Sequence, residues 1–249
     1  MKKFIFGNFK MNMTLKDTEE YIDKFLPLVN DSKNEIVIFP SYTNLMFANQ
    51  KLTSTKIMLG AQNISSENSG CFNSQISASM IKSVGCRYVI IGHSESRKCF
   101  YEKNEMLNKK IQHALSQGLK VVFCLGETKY ERTNKKTAQV LQKDILEAFK
   151  GIYENELKNI IIAYEPIWSI GSGLVLKNKD IEKSVEIIRK EIKNEFSEKA
   201  SENIKILYGG SVDINNAKTI ALIKGVNGLL IGKSSLNPKE FSDICNIKF

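Results

Sequence analysis

Eight short, nearly continuous apolar runs, each followed by a polar or amphipathic stretch, recur along a chain of 249 residues. The runs are Phe4–Asn8, Ile36–Phe39, Ile57–Gln62, Tyr88–Gly92, Val121–Cys124, Ile160–Tyr164, Ile204–Tyr208 and Leu229–Gly232. Runs of this length without polar alternation mark parallel strands covered on both faces. Between them lie helical patterns, clearest over 14–28, 102–117, 137–150 and 180–196. In the last, Ile181, Val185, Ile188 and Ile192 recur at spacings of three and four, which builds one apolar helix face. Eight strands, each followed by a helix, is the count of a closed (β/α)8 barrel. An open doubly wound sheet shares the alternation, but its Gly-x-Gly-x-x-Gly turn is absent after the first strand. No linker or composition break divides the sequence, so residues 1–249 are expected to form one α/β domain.

Composition narrows the function classes. Hydrophobic residues make up 42% of the chain, enough for a large core. No run of about 18 apolar residues is present, so no membrane-spanning helix is expected. The apolar stretch behind Met1-Lys2-Lys3 is too short for a secretory signal, which points to a cytoplasmic protein. Cys71, Cys86, Cys99, Cys124 and Cys245 form no Cys-x-x-Cys pair, which fits reduced thiols. With two histidines, a multi-histidine metal centre is not expected. The net charge of +9 suits an anionic small substrate as well as a nucleic acid. The lysines are spread among glutamates with no arginine-rich stripe, so nucleic acid is not the expected partner.

In such a barrel the chemistry sits at the carboxyl ends of the strands. The first strand runs into Gly7-Asn8-Phe9-Lys10-Met11-Asn12. Alone, Lys10 reads as a solvated loop charge; at a strand end it can also draw in an anion and stabilise developing negative charge. The fourth runs into Gly92-His93-Ser94-Glu95. Alone, His93 fits a structural role. Ser94 and Glu95, however, open a helical turn, and a helix N-terminus disfavours a cationic ring beside it. A neutral His93 could donate a hydrogen bond to a carbonyl oxygen. His113 lies within a helical pattern and receives no role. The sixth strand runs into Tyr164-Glu165-Pro166. Alone, Glu165 could be a solvated carboxylate. But Ile167, Trp168 and Ile170 are apolar residues in a loop, which implies that the loop covers something. A carboxylate under such a cover is a candidate general base. Three glycine-rich segments follow, at Gly171-Ser172-Gly173, Gly209-Gly210-Ser211 and Gly232-Lys233. The last two follow the seventh and eighth strands, where barrels often hold phosphate on backbone N–H groups.

These motifs, with Cys124-Leu125-Gly126-Glu127 and Ala163 through Gly173, strongly resemble the triosephosphate isomerases over essentially the whole chain. The resemblance implies a single-domain TIM barrel that interconverts dihydroxyacetone phosphate and D-glyceraldehyde 3-phosphate through an enediolate. It implies Glu165 as the base, His93 as a neutral hydrogen-bond donor and Lys10 as the stabilising cation. Asn8 and Lys10 would help place the substrate, with backbone N–H groups of Gly171, Ser211, Gly232 and Lys233 on the phosphate. It implies a homodimer and requires no metal or organic cofactor. Pro166–Leu176 would form the lid, with Ile170 and Leu230 as an apolar clamp.

Several positions depart from the family pattern. Phe9 replaces a usual Trp, Lys233 a frequent Gly, and the lid's far end is the more apolar Leu174-Val175-Leu176. After the third strand the chain reads Phe72-Asn73-Ser74-Gln75, and Ser96 stands where an arginine is common. Gln75 and Ser96 would remove both halves of an ion pair together, which can be nearly neutral. The dimer is therefore expected to persist. Rival identities are a repurposed binding barrel, another phosphate-binding barrel enzyme, and a nucleic-acid binder. The first would be favoured by loss of Lys10, His93 or Glu165; all three are present.

Overall fold

A computed structural model describes residues 2–171, 174 and 176–249. Its strands are β1 (Phe4–Asn8), β2 (Glu35–Phe39), β3 (Met58–Ala61), β4 (Tyr88–Ile91), β5 (Lys120–Leu125), β6 (Ile160–Tyr164), β7 (Lys205–Tyr208) and β8 (Gly228–Ile231). They pair in sequence order, all parallel, and β8 closes onto β1. The expected (β/α)8 TIM barrel is therefore present. The α-helices are α1 (Leu15–Val29), α2 (Leu45–Leu52), α3 (Ala78–Ser83), α4 (Ser94–Phe100), α5 (Asn104–Ser116), α6 (Lys129–Thr133), α7 (Thr137–Ala148), α8 (Asn178–Glu195), α9 (Glu198–Asn203), α10 (Ala217–Ala221) and α11 (Pro238–Cys245).

Successive side chains of a strand point to opposite faces, so each strand feeds two cores. Phe6, Val37, Tyr88, Ile90, Val122, Leu207 and Leu230 fill the barrel. Ile5, Ile38, Val89, Val121 and Ile206 point outward against the apolar faces of the helices, among them Phe25, Ile111, Ile145, Ile188 and Phe241. The register of Ile5 with Ile36 and Phe6 with Val37 keeps these two sets in separate layers. Complete burial of one such side chain contributes roughly 1.5–3 kcal/mol.

Local signals set the helix boundaries. Thr14 caps α1 in a reciprocal box with Asp17, satisfying backbone donors that a first turn leaves open. Asn237 caps α11, with Pro238 at the start, where its missing N–H costs nothing. The strand ends differ from the sequence expectation by a residue or two except at β1 and β6, which coincide with it. β3 is shorter at both ends. Gln62, expected in the strand, instead uses its amide to bond the carbonyls of Lys10 and Phe39, at 2.8 and 2.9 Å. No helix among the described residues is long and apolar enough to cross a membrane.

Candidate active site

The carboxyl ends of the strands surround a cavity of about 540 Å³. Asn8, Lys10, His93, Glu165, Gly171, Ser211, Gly232 and Lys233, the residues singled out from the sequence, all line it. They arrive from the loops behind β1, β4, β6, β7 and β8. His113 sits in the last turn of α5, away from the cavity.

Asn8 ends β1, and its Oδ1 accepts from the Lys10 backbone N–H at 3.0 Å. That bond and the one from Gln62 hold Lys10 at φ 52°, a left-handed conformation that costs a lysine about 1 kcal/mol. The turn aims the Lys10 chain across the cavity rim, where Nζ lies 2.6 Å from Oε1 of Glu95. Gly92, at φ +78°, turns the chain out of β4. His93 follows and is itself the N-cap of α4, with Nδ1 accepting the Glu95 backbone N–H at 3.3 Å. A ring nitrogen that accepts carries no proton, so this contact assigns the neutral ring's proton to Nε2. Nε2 is the nitrogen that faces the cavity, 3.4 Å from Oε1 of Glu165.

Glu165 is buried, with 2% of its surface exposed. Its backbone N–H bonds the Leu125 carbonyl at 2.8 Å, which fixes the start of the side chain. Its Oε2 accepts the Ser94 N–H at 3.3 Å. Both of these side-chain contacts, to His93 and to Ser94, are longer than a normal N–H···O bond. Beneath it lies the buried thiol of Cys124. Burial, reinforced by the Glu165 charge and a hydrogen bond to it, pushes this thiol well above its ordinary range. Cys124 therefore remains protonated beside the carboxylate. Leu230 and Ile170 supply apolar walls.

Glycines shape the opposite wall. A Cβ on Gly210 would lie 2.3 Å from the Tyr208 hydroxyl oxygen, and one on Gly232 would lie 3.4 Å from Cε of Lys10. The Gly232–Lys233 backbone, entering the short 3-10 helix Lys233–Leu236, thus runs close to the Lys10 ammonium. Exposed N–H groups next to a fixed cation form a place for an anion. Ser211 ties this wall to the β6 loop by donating from Oγ to the Ser169 carbonyl at 2.5 Å.

The loop after β6 is anchored from below. Ile167 N–H bonds the Glu127 carbonyl at 3.1 Å. The Tyr164 hydroxyl meets the Glu127 carboxylate at 3.1 Å, and Arg132 meets the same group at 3.0 Å while its guanidinium lies 5.8 Å from the Trp168 ring centroid. The apolar loop residues thus pack on a charged but paired base. At the lid's far end Leu174 is exposed and Leu176 buried; Ser172, Gly173 and Val175 lie outside the described residues.

Three contributors were not singled out from the sequence. By sequence Glu95 marks only a helix start, yet it carries the Lys10 contact. The Ser94 N–H and the Cys124 thiol touch Glu165, and both stand inside quoted motifs. Their position at strand ends was the available signal.

Comparison with known proteins agrees with this architecture. The family model described as triosephosphate isomerase matches residues 3–248. A triosephosphate isomerase of Aquifex aeolicus is 42% identical over 245 residues, covering 98% of each chain. Those of Thermodesulfovibrio yellowstonii and Dictyoglomus thermophilum are each 41% identical over 244 residues, again covering 98% of each chain. Likeness of this extent spans every strand end that lines the cavity, and the chain belongs to the triosephosphate isomerase family.

Proposed function

We propose that this chain interconverts dihydroxyacetone phosphate and D-glyceraldehyde 3-phosphate, as a step of glycolysis and gluconeogenesis, with residues 1–249 acting as one catalytic domain. Glu165 removes the proton from the carbon beside the carbonyl. The electron pair moves onto the carbonyl oxygen to give an enediolate. The hydroxyl proton passes to the former carbonyl oxygen by way of His93 Nε2, which gives its proton to one oxygen and takes one from the other, and the protonated Glu165 returns its proton to the adjacent carbon. His93 donates from Nε2 to the substrate oxygens, and Lys10 stabilises the negative charge. Asn8 helps place the substrate, while the N–H groups of Gly171, Ser211, Gly232 and Lys233 receive the phosphate. The observation that carries this reading is the 3.4 Å approach of the Glu165 carboxylate to the cavity-facing nitrogen of His93. A base and a neutral donor so close can act on neighbouring atoms of one small substrate. The residues supply the acid–base chemistry themselves, so the reading calls for no cofactor.

A coupled assay on the wild type and Glu165→Gln tests it. Turnover of glyceraldehyde 3-phosphate by the wild type and a fall in kcat of about 1000-fold in the variant are expected. A wild type without turnover would sink the function, and a variant of near-full activity would sink the role of Glu165.

The cytoplasm is the proposed compartment, given reduced thiols and a soluble substrate. A homodimer is proposed as well. Met11, Phe72, Phe100 and Tyr101 are large apolar residues left exposed, Met11 by 96%. A second copy would remove them from water. Sedimentation showing only monomer at micromolar protein would overturn the dimer.

A further inference from the structure

Arg97 grips two strand ends at once from beneath α4. Its Nε donates to the Gly92 carbonyl at 2.8 Å, and a terminal nitrogen donates to the Cys124 carbonyl at 3.1 Å. The other terminal nitrogen donates to Oδ1 of Asn104 at 2.6 Å. The guanidinium lies over the Phe123 ring and 3.5 Å from Oδ2 of Asp144.

Both carbonyls are placed next to the proposed chemistry. The Gly92 carbonyl belongs to the peptide bond that enters His93. The Cys124 carbonyl belongs to the bond that enters Leu125, whose own carbonyl receives the Glu165 N–H at 2.8 Å. Gly92 shows how close these two strand ends come, since a Cβ there would lie 3.0 Å from the Cys124 oxygen. Both carbonyl oxygens turn toward the one guanidinium, whose charge offsets the repulsion between them.

We propose that Arg97 is a positioning residue that sets the spacing of His93 and Glu165 by clamping the ends of β4 and β5. The proposal rests on the isomerase reading of the site. Only a planar fork with several fixed donors serves both carbonyls and Asn104 together; an ammonium would serve one or two at a time. A second layer holds the fork. Asn104 Nδ2 donates to Oδ1 of Asp144 and to Oε2 of Glu147, each at 2.9 Å, so α5 and α7 fix the guanidinium plane. Misplacing reacting groups by about 1 Å can cost about 100-fold in rate, whereas a purely structural staple would show in stability alone.

The test uses Arg97→Lys and Asp144→Asn in the full chain, with kinetics and imidazole nitrogen NMR. The chain has two histidines, and His113→Gln assigns the spectrum. For Arg97→Lys, kcat is expected to fall about 10- to 100-fold with KM within about twofold, and the His93 signals to move. Wild-type kcat together with unmoved His93 signals in a folded variant would overturn the proposal. Should Arg97→Lys not fold, Asp144→Asn decides. It keeps Arg97 but loosens the fork, so kcat is expected to drop about threefold and the same signals to move. No change in either overturns the clamp. If the wild type shows no turnover, the isomerase reading fails, and the His93 signals alone still decide whether Arg97 sets that ring's position.

Discussion

A Cβ on Gly209 would lie 2.8 Å from Cγ of Glu165. The strand-end backbone of β7 is thus one of the walls that shape the Glu165 side chain, and only glycine leaves that space. Gly209→Ala is expected to push the carboxylate off its position between the Ser94 N–H and the His93 ring. In the assay, kcat should fall about 100-fold, the scale of a misplacement near 1 Å, with little change in melting temperature. A folded Gly209→Ala enzyme with wild-type kcat would show that Glu165 has room to spare.

How much of this site was legible in the sequence depends on the kind of link. Glu165, His93 and Lys10 could be found because each follows an apolar run, and a strand end in a barrel is a place where residue type becomes function. The wall proposed for the phosphate is marked by its glycines for the same reason. The Lys10–Glu95 contact joins residues 85 positions apart, and the Arg97 clamp depends on a side-chain conformation. No spacing rule encodes either. Ile57 and Gln62 suit a strand by type, yet β3 runs only over Met58–Ala61. Gln62 was drawn off by carbonyls of the β1 and β2 ends, a tertiary choice that local pattern cannot show.

Lys233 lines the cavity, and its exposed side chain has no ion pair among the described residues. Its charge stands beside the wall proposed for the phosphate. Lys233→Ala should raise KM about fivefold while leaving kcat unchanged, the pattern of binding that ground and transition states share. That is the size expected of an exposed charge, about 1 kcal/mol. The difference should shrink as ionic strength rises above about 0.15 M, because salt screens exposed charges. Equal KM values for the two proteins at low salt would show that only the backbone N–H of Lys233 counts.

Alkaline stability should report the buried thiols. Burial pushes the Cys86 thiol up to about 12 and those of Cys124 and Cys245 well above their ordinary range. In the unfolded chain these thiols lose protons near the ordinary value of 9.0. The folded state keeps them, so it binds more protons than the unfolded state in this window. Stability is therefore fully present below about pH 9 and is lost as pH rises toward the folded values, by about 1.4 kcal/mol per pH unit for each thiol. Urea unfolding at pH 8, 9.5 and 10.5 should show the decline, and Cys86→Ala should flatten the slope by one proton's share. An identical slope in that variant would mean that Cys86 is not titrating as described.

At the opposite end of the barrel Arg189 is partly buried, and among the described residues its partners are all neutral. It donates to the carbonyls of Ser201 and Gly225 and, at 3.3 Å, to Oδ1 of Asn227. Burial lowers the proton affinity of this guanidinium, which measures how poorly the site supports its charge. Asn227 Oδ1 also accepts the Ile206 N–H at 2.9 Å, so the position needs only an acceptor, and both bonds survive a change to aspartate. Asn227→Asp would give Arg189 a carboxylate without altering shape. The gain from a charge-assisted bond must exceed the cost of burying the new anion, and here two donors already face it. The variant should be more stable by about 1 kcal/mol at pH 7, read as a higher urea midpoint at unchanged slope. That gain should be full above the ordinary aspartate value of about 4 and be lost as pH falls below it, through the lower folded value, as the carboxylate takes up a proton. A lower midpoint at pH 7 would show that desolvation of the aspartate outweighs its attraction to Arg189.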